Sequence, residues 1–362
     1  MNSPSILFVL PSSGGGGGAH SVMQEADAMR AFGIDAKIAV NHDNADRLQR
    51  NYRDLSRVAN QIFPYQKETG LGELIRTHAP GVVVATTNQS VHVVADALKV
   101  AEIRDQRTAY YIQDYEPFFY ERGSSDWFLA YSSYGLIPGM IHFAKTRWLQ
   151  EVVEENHGVQ VAKVDPSVDH RVFYPEFGMR RSDSQTLRIV AMLRPATPRR
   201  APRRTVRILN RIVAEMKDKV ACSSFGCSAA DLEVHSLKLR GVEHLDVLSR
   251  EDVGYLFRRS DLLLDLSDFQ AFGRSAIEAM SCGAVALVPA HGGAYEFAVD
   301  GRTGFVVDTR SDDAIMAAVH QFATMTPAER HEMMMQGIQT GFGYSPERAA
   351  LSEITALGLA AP

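Results

Sequence analysis

Cysteine is scarce: Cys222, Cys227 and Cys282 are the three thiols in 362 residues. Three thiols cannot close a disulfide framework, and their spacing is not that of a zinc site, so a reducing, cytoplasmic setting is expected. Long apolar runs are missing as well. No window approaches the ~20 uninterrupted apolar residues a membrane-spanning helix needs, so any membrane contact is expected to be peripheral. No basic segment precedes an apolar stretch near Met1, and Ser5 to Leu10 is only strand-length before Pro11 stops it, which argues against a signal peptide. Positive charge is not in excess: 38 Lys and Arg stand against 43 Asp and Glu, a net charge of -5 that speaks against nucleic acid as a partner. The absence of a Gly-Lys-Ser or Gly-Lys-Thr ending excludes a P-loop. What is present suffices for two globular domains, with 45% hydrophobic and 22% charged residues.

Strand-like and helix-like segments alternate on each side of a break, the pattern of two doubly wound α/β units. In the first unit, strands are expected at Ser5–Leu10, Asp35–Val40, Gly81–Ala85, Arg107–Ile112, Gly139–Phe143 and Val159–Lys163. In the second they are expected at Leu187–Met192, Val220–Phe225, Leu262–Leu266, Val285–Val288 and Phe305–Val307. Between them, Ser167 to Gln185 is polar, contains proline and glycine and keeps no period, so it reads as the hinge. The expected domains are 1–170 and 171–345, followed by a terminal helix over 346–362.

The densest signal is DFQAFGRSAIEAMSCGAVALVPAHGGAYEF, Asp268 to Phe297. An apolar run, DLLLDLS, leads into a turn at Phe272 and Gly273, and Ser275 to Cys282 then reads as a helix. The first N–H groups of such a helix face the strand end, where an anion can bind without a basic side chain. Gln270 and Glu278 enclose seven residues and stand where the two glutamates of an E-x7-E signature would. On these residues the chain resembles the retaining family 4 glycosyltransferases. That resemblance implies that Glu278 takes the ribose hydroxyls of a nucleotide-sugar donor and that Gln270 contacts the transferred sugar. Phe272, Gly273 and Arg274 would then form the turn that receives the donor. Gln270 departs from the pattern: an amide keeps an acceptor oxygen but loses the charge and gains two donors.

Three further segments carry chemistry. The run Gly14 to Gly18 lies between the first strand and first helix, where backbone N–H groups can approach a phosphate. Gly14, Gly16 and Ala19 also satisfy a lax dinucleotide fingerprint, yet the second strand ends at Asn41, where an NAD site wants a carboxylate. By resemblance, Gly16 and Gly17 close over the donor phosphates. In MLRPATPRR, Arg194 and Arg199 fall where the family has an arginine and a lysine gripping the diphosphate, with Arg200 as neighbour, and a guanidinium keeps that role with bidentate geometry. Further along, Arg203, Arg207 and Arg211 share one helix face, read as solvated surface with membrane contact as the other reading.

In YYIQDYEPFFYERGSSDWF, Gln113 and Asp114 leave an apolar strand at its carboxyl end, where ligands bind in such sheets. Many family members have His-Asp there, so Gln113 is a second departure from an ionisable group to an amide. Gln-Asp-Tyr-Glu-Pro and Gln-Ala-Phe-Gly-Arg together resemble bacterial rhamnosyltransferase-like members, which suggests L-rhamnose as the sugar. Tyr115 and Glu116, with nearby aromatics, are candidate acceptor contacts. The base of the nucleotide is expected near His244 to Phe257.

The resemblance implies a GT-B architecture, two Rossmann-like domains facing a cleft, with acceptor on the first and donor on the second. It implies glycosyl transfer with retention to a glycan or lipid-linked acceptor in bacterial surface polysaccharide synthesis. No metal or cofactor is expected, because Arg194, Arg199 and the N–H groups around Gly273 can stabilise the departing diphosphate. Two other readings stay open: a nucleotide-sugar 2-epimerase of the same fold, and a sugar-nucleotide-binding protein with weak turnover.

Overall fold

A computed structural model describes residues 4–11, 16–177 and 186–360. Gly14 and Gly15 of the glycine run, and residues 178–185 of the expected hinge, lie outside the described residues. The chain divides into two compact units, 1–167 with 345–362, and 168–344.

The first unit is a seven-stranded parallel sheet. Its strands are β1 (Ser5–Leu10), β2 (Asp35–Asn41), β3 (Ile62–Tyr65), β4 (Val82–Ala85), β5 (Thr108–Ile112), β6 (Ile141–Ala144) and β7 (Val161–Lys163), in the order β3-β2-β1-β4-β5-β6-β7. β1, β4 and β5 are almost wholly buried, as strands covered by helices on both faces must be. The strand missed by sequence, β3, contains Pro64 and lies at the edge, where a missing N–H does no harm. The strand order reverses beside β1, which pairs with β2 on one side and β4 on the other, so the loops after β1 and β4 part there.

The helix Pro346–Ala356 belongs to this unit and packs on the helix Gly17–Ala31. Ala350, Ile354 and Leu357 enter the same core as Ile6, Phe8 and Val22. A buried ionic cluster reinforces that contact. Glu25, with no exposed surface, accepts from Lys145 Nζ at 2.7 Å and from the Tyr111 hydroxyl at 2.8 Å. Ser167 Oγ also donates to Glu25. Glu353 lies beside them, and burial, followed by the neighbouring Glu25 charge, holds its carboxyl well above the usual range.

The second unit repeats the plan with six parallel strands: β8 (Leu187–Met192), β9 (Val220–Phe225), β10 (Val242–His244), β11 (Leu262–Leu264), β12 (Val285–Pro289) and β13 (Gly304–Val307). Their order is β10-β9-β8-β11-β12-β13. β10, also missed by sequence, is a three-residue edge strand with a charged centre. Here the reversal falls at β8, between β9 and β11, which brings the loops carrying Arg194 and Gln270 to the crevice where open α/β sheets take ligands.

Candidate functional site

In the second unit, the segment after β11 is anchored from several sides. Asp268 N donates to Arg199 O at 2.8 Å, while Arg204 donates to Leu266 O at 3.0 Å and to Asp268 Oδ1 at 2.9 Å. Gly293 N donates to Gln270 O at 2.7 Å, forming a bridge in which Gly292 passes close to the Gln270 backbone. A Cβ at Gly292 would lie 2.4 Å from Gln270 O, and its φ of +109° also demands glycine. The Gly-Gly pair is therefore the packing partner of Gln270.

The turn then reaches Gly273, φ +94°, the N-cap of the helix Arg274–Ser281. No side chain caps this helix and no acidic residue lies in its first turn. Its start stays open to an anion, where the helix dipole favours negative charge. Met192, Arg194, Arg200, Asp265, Ser267 and Ser275 line one small cleft. Arg194 Nη1 donates to Gly226 O at 3.0 Å. Arg200 stands with Arg194 in that cleft, whereas Arg199 lies over the Phe269 ring at 5.4 Å. The expectation of Arg199 beside Arg194 is thus shifted by one residue, because the short helical turn Pro198–Arg200 directs Arg199 onto an aromatic face.

Glu278, 7% exposed, sits one turn into the helix, with Arg274 Nη1 3.5 Å from Oε1. Burial raises its carboxyl above the usual range, against the pull of Arg274 and then Arg250. Arg250 starts the helix Arg250–Arg258, inside the segment expected to meet the base, and reaches Asp169 at 3.3 Å. Phe272 packs edge-on against Phe297 and Tyr344.

In the first unit, Gly16 is the N-cap of the helix Gly17–Ala31, also without a side-chain cap. Gln113 lies against this start: a Cβ on Gly18 would be 2.9 Å from Gln113 Oε1, and Gln113 Nε2 donates to Thr86 O at 3.3 Å. The glycine loop and Gln113 are therefore neighbours, and Asp114 follows with Oδ1 accepting from Tyr115 N at 3.0 Å.

Tyr115 and Glu116 turn inward, against the expectation that they touch an acceptor. Tyr115 is 2% exposed, its hydroxyl lies 3.1 Å from His157 Nε2, and burial pushes its phenol up to about 12. Glu116 Oε2 accepts from Asn88 N at 2.9 Å, at the start of the helix Asn88–Val100. Burial, partly opposed by that hydrogen bond, pushes Glu116 up to about 7. Phe118, Phe119 and Phe128 of this segment are exposed. Asn41, at the end of β2, caps the next helix by accepting from Asp43 N at 3.0 Å, which agrees with the reading against an NAD ribose site.

Two residues were not singled out from sequence. Asp265 interrupts the apolar run DLLLDLS just beyond β11, and a lone carboxylate inside a buried strand was the available signal. Asp169, buried beside Arg250 and Arg171, carried no local signal, since its partners become neighbours only through the fold. On the arginine face, Arg207 pairs with Asp312 at 2.6 Å, and Arg211 with Glu215 of its own helix at 2.6 Å and with Asp313 at 3.2 Å, so these two are engaged by carboxylates, two of them at a neighbouring helix start.

Two parallel, doubly wound sheets, the second with Arg194 and Gln270 in loops beside its strand-order reversal, make up a GT-B fold. A solved structure of Anabaena Alr3699/HepE in complex with UDP and glucose matches over 98% of this chain and 99% of that one, with a TM-score of 0.77 at 17% identity. Residues 188–340 match the family described as Glycosyl transferases group 1, and the chain carries a domain of that family. Among curated relatives, the O-antigen biosynthesis protein RfbC of Myxococcus xanthus is 29% identical over 175 residues, 48% of this chain and 13% of the relative. A D-inositol 3-phosphate glycosyltransferase of Mycobacteroides abscessus is 30% identical over 174 residues, 43% of this chain and 38% of the relative. The chain thus spans well under half the length of either.

Proposed function

We propose that this protein transfers a sugar from a nucleoside diphosphate sugar to a glycan or lipid-linked acceptor, with retention of configuration, in surface polysaccharide synthesis. The observation that carries the reading is the cleft in the second unit, where Arg194 and Arg200 stand beside the uncapped helix start at Gly273. Fixed positive charge and backbone N–H groups there suit a departing diphosphate, and Glu278 on the same helix suits ribose hydroxyls. The names of RfbC and of the UDP- and glucose-bound HepE structure support a nucleotide sugar and a polysaccharide product. L-rhamnose is the sugar favoured by the Gln-Asp-Tyr-Glu-Pro and Gln-Ala-Phe-Gly-Arg segments.

In this reaction the bond from the anomeric carbon to the diphosphate breaks and a bond to the acceptor oxygen forms on the same face. The acceptor proton passes to the departing phosphate, so Gln113 need not be a base. The proposal needs no metal, and turnover should survive a chelator. It expects a cytoplasmic protein whose membrane contact, if any, is peripheral. Among the described residues, no helix is long and apolar enough to cross a membrane.

A thermal-shift panel of nucleoside diphosphates and their sugars tests the binding half, since stabilisation grows as RT ln(1 + [L]/Kd). Release of diphosphate that depends on added acceptor supports a transferase. Turnover of donor alone to an isomer would favour the epimerase, and binding without either would favour a binding protein.

A further inference from the structure

Gln270 is nearly sealed from solvent, at 3% exposure, and both hydrogens of its amide are engaged. Nε2 donates to Asp265 Oδ2 at 2.8 Å and to Ser267 Oγ at 2.9 Å. Asp265, 8% exposed, receives on its other oxygen the Ser267 backbone N–H at 3.2 Å and the Ser267 hydroxyl at 2.5 Å. The opposite amide orientation would set Oε1 against a carboxylate oxygen, two acceptors facing each other in a buried place. Only one orientation is therefore stable. The backbone at this point is fixed too, by Gly293 N on Gln270 O at 2.7 Å.

We propose that Asp265 is a positioning residue that fixes the Gln270 amide, so that position 270 offers the donor sugar a hydrogen-bond acceptor and no donor. The inference rests on the nucleotide-sugar reading above. It selects for a sugar hydroxyl that donates at that place. It also accounts for the amide itself: a glutamate at 270 would face the Asp265 carboxylate at under about 3 Å, whereas the amide bonds to it. The negative charge is kept, one residue behind the contact.

The test compares full-length wild type, D265N, Q270E and the exchange variant D265N/Q270E. In D265N two amides meet, so Gln270 turns its N–H groups toward the sugar. In Q270E two carboxylates meet. The exchange variant restores one amide and one carboxylate. Released diphosphate from UDP-glucose and from dTDP-L-rhamnose, with acceptor, gives kcat and KM, and calorimetry with the bare diphosphates gives nucleotide affinity. Each single variant should lose about tenfold or more in turnover with diphosphate affinity within about twofold, and the exchange variant should recover to within about threefold of wild type. An exchange variant as poor as the sum of its parts would overturn the proposal.

Melting followed from about pH 5 to about pH 8 reads the pairing without any substrate. The carboxyl introduced by Q270E binds a proton more tightly folded than unfolded, so Q270E should lose stability relative to wild type as pH rises, and the exchange variant should not. Identical profiles for Q270E and wild type overturn the pairing. If the pH effect is present but turnover is unchanged in both single variants, the role in recognition falls, while the nucleotide site is judged separately by diphosphate affinity.

Discussion

Two helices, one in each unit, start just beyond the carboxyl ends of parallel strands and finish those starts in opposite ways. In the second unit, the helix Arg274–Ser281 begins at a glycine with φ +94° and has no side-chain cap. In the first, the helix Asn88–Val100 has a capping box between Thr87 and Ser90, and the Glu116 carboxylate also accepts from Asn88 N. One start is left for a ligand to complete; the other is completed by the chain. A left-handed glycine leaves the first of these starts without a cap, whereas an extended threonine closes the second with its own side chain.

The sharpest way to break this contrast is to remove the charge beside the open start. Arg194→Ala and Arg200→Ala should each lose about a hundredfold or more in turnover, by analogy with deleting one preorganised oxyanion donor. Arg199→Ala should lose less, since that guanidinium lies on Phe269. Steady-state kinetics on the purified variants, with circular dichroism to show the fold is kept, decides the order; equal losses for Arg199 and Arg200 would return Arg199 to the phosphate site.

The closed start can be tested through pH. Glu116 binds its proton more tightly in the fold, at about 7 against the ordinary 4.5, so its contribution is fully present below about 4.5 and is lost as pH rises through about 7. Relative to Glu116→Gln, wild type should lose stability across that window by an amount on the order of 2–3 kcal/mol. Denaturant midpoints at several pH values measure it, and parallel curves would mean that the carboxylate is as comfortable folded as unfolded.

Glu278→Ala returns to the open start and should weaken bare nucleoside diphosphate by roughly 1.5–3 kcal/mol, the worth of a charged acceptor to a hydroxyl. Calorimetry with UDP reads it; unchanged affinity would make Glu278 a partner of Arg274 only. The smallest effect is expected for Thr87→Ala, a loss of about 1 kcal/mol in stability with diphosphate affinity untouched. A change in affinity there would erase the distinction between the two helix starts.

Much of this was legible in the chain because the interior strands are apolar and bounded by turn residues. β1, β2, β8 and β9 were read within a residue of their ends, while β3 and β10 were missed because edge strands tolerate Pro64 and the charged Glu243. The spacing of Gln270 and Glu278 identified the strand, turn and helix that hold them. What sequence could not supply was direction. Tyr115 and Glu116 follow Asp114 at a strand exit and look available, yet a buried aromatic cluster around His157 takes one and a helix start takes the other. Arg199 and Arg200 are adjacent and chemically equal, and only the turn geometry separates them. Asp265 has no local signature in the chain beyond its charge, because its partner, the amide of Gln270, lies five residues on and meets it only through the turn.

The return of the helix Pro346–Ala356 to the first unit has a consequence for how the protein is made. The ribosome delivers the first unit's strands early, but Ala350, Ile354, Leu357 and the Glu353 that sits beside Glu25 and Lys145 arrive after the whole second unit has emerged. Until then a strip of core along the helix Gly17–Ala31 stays open to water, and Glu25 and Lys145 lack their last neighbour. The first unit is thus finished only after the second has emerged, and a nascent chain halted anywhere in the second unit exposes an unsealed apolar seam to the folding machinery.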